Sequence, residues 1–529
     1  MAGLSDNPNV AARLVERARR HPDRPAIVEG TGVRRRVTSF GALAARVAAT
    51  AAALRAKDFR PGDRALLFVP MSADLYASLL GVLHAGGTAV FLDAWANRQR
   101  LEAAVAAAGP RAFIGTRSAH LLRLWSRALR RLPVALLPVR AQADDAGGAA
   151  VVPGDFPALV TFTTGSTGTP KAAARTHDFL WAQHEVLAHH LRLVEGEADM
   201  PTLPIFVLNN LALGVTTVLP AMDPRRPGRV RPAPVLRQLR DERVTTTAGS
   251  PAFYERLARH VEQRGGGIPV RSLFTGGAPV FPPLAARLAA ATEGTAYVLY
   301  GSTEAEPIAL IPAAELVRAA AEDANARANQ RGLCAGVVVP EIELRLIRPV
   351  DGPVELDGHG WSPWDAGAGP GEIVVTGRHV LRGYLGDPRA ERMAKIRDGS
   401  RVWHRTGDAG YTDGAGRLWL LGRVSQRVET AGSTWWSTPA ELAALGVSGV
   451  THAAYFGVAG AAGGGDAGDR SRAVLCVQVD DARPGLEREL RDALAPAPLD
   501  ELFVLKSIPR DPRHESKTDV PRLRALIGR

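Results

Sequence analysis

The chain has 529 residues, too many for one simple core and enough for two or three folding units. Its apolar fraction of 46% and charged fraction of 22% are those of a globular protein. The net charge of +11 is nearly all arginine spread along the chain, and clusters such as Arg34-Arg35-Arg36 and Arg225-Arg226 are short and lack interleaved aromatics, so no nucleic-acid interface is expected while small anionic substrates remain compatible.

From Asn7 to Arg20, Val10, Leu14 and Ala18 recur at helical spacing behind a capping-type Asn7, which predicts an opening helix. The residues before it, Met1 to Val10, lack a basic stretch followed by an apolar core, so no secretory signal is expected. Short apolar runs then alternate with amphipathic stretches: Arg64 to Val69, Thr88 to Leu92, Ala112 to Ile114, Val134 to Pro138 and Ala158 to Phe162. That rhythm predicts an α/β chain. The most apolar stretch, Ala65 to Leu92, is broken by Asp74 and His84 and reads as buried helix and strand, so no membrane insertion is expected. Ala146 to Ala150 and Ala459 to Gly465 read as surface loops. Composition changes near Gly422-Arg423, and beyond it Ala453 to Val458 and Ala473 to Val479 read as strands and Leu486 to Leu494 as a helix. The boundary predicted there divides the chain into 1–422 and 423–529. Cys334 and Cys476 have no metal-type spacing, which fits a reducing cytoplasm.

The segment richest in chemistry is LVTFTTGSTGTPK, Leu159 to Lys171. A β-type run enters a loop of Thr163, Thr164, Gly165, Ser166, Thr167 and Gly168, with Lys171 just beyond. Glycine lets phosphate approach the backbone, and successive N–H groups form an anion nest beside the lysine cation. The spacing is neither that of a Walker loop nor that of a dinucleotide turn. Read alone, the loop fits a phosphate cradle or an ordinary flexible turn.

TTGSTGTPK resembles the phosphate loop of the adenylate-forming superfamily of acyl-CoA synthetases, nonribosomal adenylation domains and luciferases. Further segments match that family in order. Gly276-Gly277-Ala278-Pro279 resembles its adenine-side turn, Tyr300-Gly301-Ser302-Thr303-Glu304 its YGxTE element, and Gly371 to Tyr384 its GEIxVxGxxVxxGY stretch. Thr406-Gly407-Asp408 resembles its ribose-binding TGD and Gly422-Arg423 its hinge. The resemblance implies a large N-terminal adenylating domain of α/β layers and a smaller β subdomain, followed by a small mobile α+β domain. It also implies ATP and Mg²⁺ as cofactors and a small carboxylic acid as substrate.

Roles follow from the resemblance and suit the chemistry. Tyr300 offers a flat ring to adenine, and Asp408 accepts both ribose hydroxyls. Glu304 holds Mg²⁺, while Thr303 and the loop hydroxyls steady the phosphates. The acyl pocket is expected around Phe206, Asn209, Asn210, Gly249, Ser250 and Gly276. In the superfamily a lysine near the chain end swings in to stabilise charge as the carboxylate attacks the α-phosphorus, and Lys517 fits by position.

Departures narrow the family. Ala172 follows Lys171 where glycine is usual, and Val424-Ser425-Gln426-Arg427-Val428-Glu429-Thr430 replaces the acidic pair and lysine of the acyl-CoA ligase hinge. Val207 stands where those ligases carry a histidine. GRVSQRVET, MPTLPIFVLNNLALGVTTVLPAMDP and PRDPRHESK, with Arg513-His514 before the lysine, are instead similar to olefin-pathway β-lactone synthetases. That branch adenylates a β-hydroxy acid whose own hydroxyl then closes the lactone, without coenzyme A. The residues leave open an acyl-CoA ligase or a nitrogen-transferring ligase, and hence a use for coenzyme A. An inactive nucleotide-binding module is the reading from another class, opposed by intact Lys171, Glu304, Asp408 and Lys517. His514 is a candidate base or a structural hydrogen-bonding residue. Asn209-Asn210 departs from the branch and fits either a polar substrate contact or a turn cap.

Overall fold

In the computed structural model of the chain, residues 7–92, 98–140, 148–164, 170–223, 226–322, 332–367, 369–430, 432–459, 471–479, 481, 483–511 and 517–528 are described. The first five apolar runs become strands of one six-stranded sheet, ordered Val134–Leu136, Ala112–Gly115, Arg64–Phe68, Thr88–Phe91, Pro157–Thr164 and Pro170–Thr176. Every neighbouring pair is parallel except the last, which is an antiparallel hairpin. Strands covered on both faces need no polar alternation, so they read as unbroken apolar runs. The helix Ala73–His84 packs into this layer with nearly every side chain buried, and Ser72 caps it by accepting from the Leu75 N–H at 3.3 Å. Leu14, Phe40, Leu54 and Tyr76 are fully buried beside it. Each such apolar side chain contributes about 1.5–3 kcal/mol on leaving water.

The second sheet has fourteen strands. Its parallel centre runs Thr216–Val218, Ala198–Pro201, Val244–Gly249, Ser272–Gly276 and Thr295–Ser302. The hairpin from Thr295–Ser302 into Ala305–Pro312 then reverses direction. From there the sheet continues antiparallel through Leu333–Val338, Arg417–Arg423, Arg401–Thr412, Gly371–Thr376 and Glu343–Ile347. This antiparallel part is the smaller β subdomain. Inside it, Arg405 and Glu372 form a buried ion pair at 2.6 Å, and Arg405 also donates to the Val350 carbonyl at 2.8 Å.

Beyond residue 427 a separate core forms around Val428, Tyr455, Leu475 and Leu490. Val450–Ala459, Ser471–Val479 and Glu501–Leu505 make a three-stranded sheet packed with the helices Ser437–Leu445 and Leu486–Leu494. The fold class expected from the sequence is therefore the one observed. The Leu486–Leu494 helix has the expected limits, whereas the short strand Glu501–Leu505 carried no legible pattern. Among the described residues no helix is long and apolar enough to cross a membrane.

The opening helix needs a correction. It spans Ala11–Arg20 with Val10 at its cap position and no side-chain cap. Asn7 instead donates its amide to the Ala149 carbonyl at 3.0 Å, and Asn9 donates to those of Leu83 and Ala150 at 2.7 and 2.8 Å. Both asparagines thus tie the chain start to the first sheet. Residues 146 and 147 of the first expected loop, and 460–465 of the second, lie outside the described residues.

Candidate active site

Open α/β sheets bind ligands at the carboxyl ends of their parallel strands. Here Pro201, Gly249, Gly276 and Ser302 all end parallel strands on that edge, and the helix Pro204–Leu213 starts beside it. Gly276 pairs with Leu299 so closely that a Cβ would lie 2.4 Å from the Leu299 carbonyl oxygen. Only glycine fits there, and the turn of Gly277, Ala278 and the exposed Pro279 follows directly from this strand end.

Tyr300, Gly301 and Ser302 close the last parallel strand. The Tyr300 hydroxyl donates to Asp408 Oδ2 at 2.9 Å, and Arg423 Nε lies 3.1 Å from Asp408 Oδ1. Asp408 and Arg423 are direct cross-strand partners, so sheet register itself builds this pair. Arg423 also donates to the Thr406 carbonyl at 3.0 Å, and Thr406 Oγ1 accepts from the Asp408 N–H at 3.1 Å. Burial, and then the Asp408 charge, push the Tyr300 hydroxyl far up, so it stays a donor. A carboxylate has about four acceptor positions. Two are used here, leaving two for a diol.

Thr303 and Glu304 form the two-residue turn between the hairpin strands, where Ser302 Oγ accepts from the Glu304 N–H at 3.2 Å. The Tyr384 hydroxyl donates to Glu304 Oε1 at 2.9 Å, and the Leu381 N–H donates to the Glu304 carbonyl at 2.7 Å. The Lys171 ammonium lies 5.3 Å from the Tyr384 ring centre and the Lys395 ammonium 5.5 Å from it. Lys395 is buried, donates to the Leu381 carbonyl and pairs across strands with His404. Burial would raise the Glu304 carboxyl, but neighbouring His404 and Lys395 and the Tyr384 hydroxyl outweigh it and hold it down. Burial also lowers His404 to about 3, so that ring is neutral at ordinary pH. Burial lowers Lys395 itself to about 7, with Glu304 opposing any further fall.

The first sheet joins this edge through Arg175. It donates to Thr161 Oγ1 at 2.9 Å and to the Thr303 carbonyl at 3.0 Å. Strand bridging between Ala173 and Tyr384 adds a second link. Lys171 is therefore brought beside Glu304 and Tyr384. Of the preceding loop, Gly165, Ser166, Thr167 and Gly168 lie outside the described residues, as do the side chains of Thr163 and Thr164.

Glu304 is the carboxylate at this turn, and among the described residues no group of three or more His, Cys, Asp or Glu could hold a metal ion. That donor set fits a Mg²⁺ carried by nucleotide phosphates, since this ion is commonly bound by one or two carboxylates together with substrate phosphates. With Tyr384 on Oε1, Oε2 would be the Glu304 oxygen left to such an ion.

On the acyl side, Phe206 packs in a cluster with Ala248, Phe274, Tyr297 and Leu299. Ser250 is buried and its hydroxyl has no partner among the described residues. The two adjacent amides separate. Asn209 Oδ1 lies 2.6 Å from His184 Nδ1, beside a cavity of about 50 Å³ also lined by Gln183 and Leu208. Asn210 is fully buried and donates to Asp199 Oδ2 at 2.8 Å and Thr217 Oγ1 at 3.2 Å. Its amide nitrogen is spent on the core beneath the helix.

Burial pushes Asp199 from its ordinary 3.8 up to about 7. A group whose folded value is raised stabilises fully below its unfolded value and loses that contribution as pH rises through the folded one. Wild-type protein should therefore lose on the order of 2–3 kcal/mol between pH 5 and pH 8 from this residue, at about 1.4 kcal/mol per pH unit. Asp199→Asn should lose less over that interval, measured by denaturant unfolding at both values. Equal losses in the two proteins would exclude Asp199 as the source.

Lys517 lies in the C-terminal unit. Its N–H donates to Asp511 Oδ1 at 3.1 Å and its carbonyl accepts from the Asp511 N–H at 2.8 Å. Thr518, next to it, is bonded to His452 at 3.0 Å. His514 falls outside the described residues. Where the hinge is expected, Gly422 has φ 109°, and a Cβ there would lie 2.0 Å from Ser437 Oγ. Arg427 then reaches back to Asp351 of the large unit with two bonds of 2.9 and 2.8 Å.

Sequence reasoning quoted Tyr384 within a motif without giving it a role, and it passed over Lys395, His404 and Arg175. The one available signal was composition: Lys395 is among only five lysines.

The groups gathered at the carboxyl edge of this parallel sheet, Tyr300, Asp408, Arg423, Lys171 and Glu304, fit a nucleotide-using α/β enzyme. Residues 14–385 match the family model described as AMP-binding enzyme. The chain belongs to that family, the adenylate-forming enzymes. It is 34% identical to an olefin β-lactone synthetase of Stenotrophomonas maltophilia over 96% of both chains. It is 35% identical to one of Xanthomonas campestris over 80% of both. Its fold matches that of ATP-bound MatB from Rhodopseudomonas palustris, with a TM-score of 0.78, 21% identity and coverage of 98% of this chain and 99% of that one.

Proposed function

We propose that this enzyme converts a β-hydroxy carboxylic acid and ATP into a β-lactone, AMP and pyrophosphate. The observation that carries the second step is the similarity, across 96% of both chains, to a β-lactone synthetase. Val207 at the acyl edge, where thiol-using relatives carry histidine, supports it.

In the first step a carboxylate oxygen of the acid attacks the α-phosphorus of ATP, the acyl O–P bond forms, and pyrophosphate departs as the P–O bond to it breaks. Tyr300 lies against the adenine and Asp408 takes the ribose hydroxyls, with Arg423 holding that carboxylate in place. Lys171 and the glycine loop bind the phosphates. Glu304 holds Mg²⁺, which when bound neutralises phosphate charge. Residues 1–422 form the adenylating unit, and 423–529 rotate about Gly422 to bring in Lys517. Buried thiols at Cys334 and Cys476 fit a cytoplasmic setting.

In the second step the substrate's own hydroxyl oxygen attacks the acyl carbon, the C–O bond to AMP breaks, and the hydroxyl proton leaves. Holding both groups in one pocket replaces a second substrate, and orientation of this kind is worth as much as about 7–11 kcal/mol in well-aligned systems. Mass spectrometry of products tests the reading. A suitable β-hydroxy acid should give AMP, pyrophosphate and a product lighter than the acid by one water, without coenzyme A. The matched acid lacking the hydroxyl should stop at the adenylate. Turnover of both acids to thioesters only when coenzyme A is present would replace this reading by that of an acyl-CoA ligase.

A further inference from the structure

Four groups form a closed circuit behind Glu304. The Glu304 carbonyl accepts from the Leu381 N–H, the Leu381 carbonyl accepts from Lys395 Nζ, and Lys395 lies against the Tyr384 ring. The Tyr384 hydroxyl returns to Glu304 Oε1. A cavity of about 620 Å³ borders the same ring and lysine, lined also by Val354, Leu356, Pro388 and Arg392. The ring is buried in the core, 7% exposed, and only borders this cavity, so the groups packed on its cavity side share in fixing its rotamer. Lys395 is one of them. It is 4% exposed, held by the Ala394–His404 end of its strand pair, and its ammonium has the ring and the Leu381 carbonyl as partners.

We propose that Lys395 is a positioning residue for the metal carboxylate: by pinning Leu381 and the Tyr384 ring, it keeps the Tyr384 hydroxyl on Glu304 Oε1 and so aims Oε2 at the phosphate-borne cation. This rests on the reading of Glu304 as the Mg²⁺ residue. It differs from the role of Lys171, which approaches the same ring from the strand after the glycine loop. Lys395 touches neither nucleotide nor acid and acts through Tyr384. Partners that orient a metal-binding carboxylate are typically worth about 10–100-fold in metal affinity.

The test uses the full-length enzyme with Mn²⁺ as the spectroscopic metal and α,β-methylene ATP as the unreactive nucleotide. Electron paramagnetic resonance reads the metal bound to the enzyme–nucleotide complex. Lys395→Met and Tyr384→Phe should each weaken Mn²⁺ binding about 10–100-fold, while metal-free affinity for the analogue stays unchanged. Lys395→Arg, which keeps a cation that can reach the carbonyl and the ring, should recover part of the loss. Wild-type Mn²⁺ affinity in Lys395→Met, with Glu304→Gln impaired, would overturn the proposal while leaving the Glu304 reading intact. Wild-type affinity in Glu304→Gln would remove the Glu304 reading and this proposal with it. Should Lys395→Met fail to fold by circular dichroism, Tyr384→Phe, which loses one oxygen and keeps the ring, decides: unchanged Mn²⁺ affinity there overturns the proposal.

Discussion

Lys517→Ala is expected to slow adenylate formation about 10²–10³-fold while ATP affinity stays within a fewfold of wild type. Negative charge shifts during attack on the α-phosphorus, from the acid oxygen toward the departing pyrophosphate. A flexible ammonium that arrives with the C-terminal unit meets that charge in the transition state and is absent from the ground-state nucleotide complex, so its loss appears in rate and not in binding. The backbone of Lys517 is fastened to Asp511, which gives the side chain a firm base within the unit proposed to move. Single-turnover pyrophosphate release and equilibrium titration with an unreactive ATP analogue separate the two quantities. Loss of only a fewfold in rate would take Lys517 out of this role.

Asp408→Ala should do the reverse and cut ATP affinity about 10²–10⁴-fold. Two charge-assisted bonds to the ribose go together, each worth about 1.5–3 kcal/mol. The substitution also strands its neighbours: the Tyr300 hydroxyl loses its acceptor and Arg423 its carboxylate. Both groups flank the expected adenine and ribose positions, so their freedom adds to the loss. Calorimetric titration with ATP measures it, and an affinity within a fewfold of wild type would show that the Thr406-Gly407-Asp408 segment does not hold the nucleotide.

Much of the fold was legible because buried parallel strands leave unbroken apolar runs, as at Thr88–Phe91 and Ala112–Gly115. Site residues were legible where chemistry and backbone turn occupy one short stretch. Tyr300 to Glu304 ends a strand and turns a hairpin within five residues, and Asp408 with Arg423 follows from strand register. What escaped was assembled from distant parts of the chain. Nothing local ties Lys395 to Glu304 or Arg175 to Thr303, and those contacts exist only once the two sheets and the β subdomain have met. Asn209 and Asn210 show the complementary limit. Adjacent residues on a helix point about 100° apart, so one amide faces His184 and the other Asp199, a division that composition cannot express.

The joining of the two sheets through Arg175 bears on how the protein is made. Translation delivers the first sheet early, with Lys171 already in it, yet its counterparts Thr303, Tyr384 and Lys395 come much later, and Asp408 and Arg423 later still. A ribosome-bound chain that stops short of the strand Arg401–Thr412 lacks Asp408, and one that stops short of Arg417–Arg423 lacks the Arg423 that pairs with it. Ligands stabilise only states that bind them. ATP, abundant throughout synthesis, therefore lacks these partners until the large unit is almost whole, and the nascent chain must reach that point on the strength of its apolar layers.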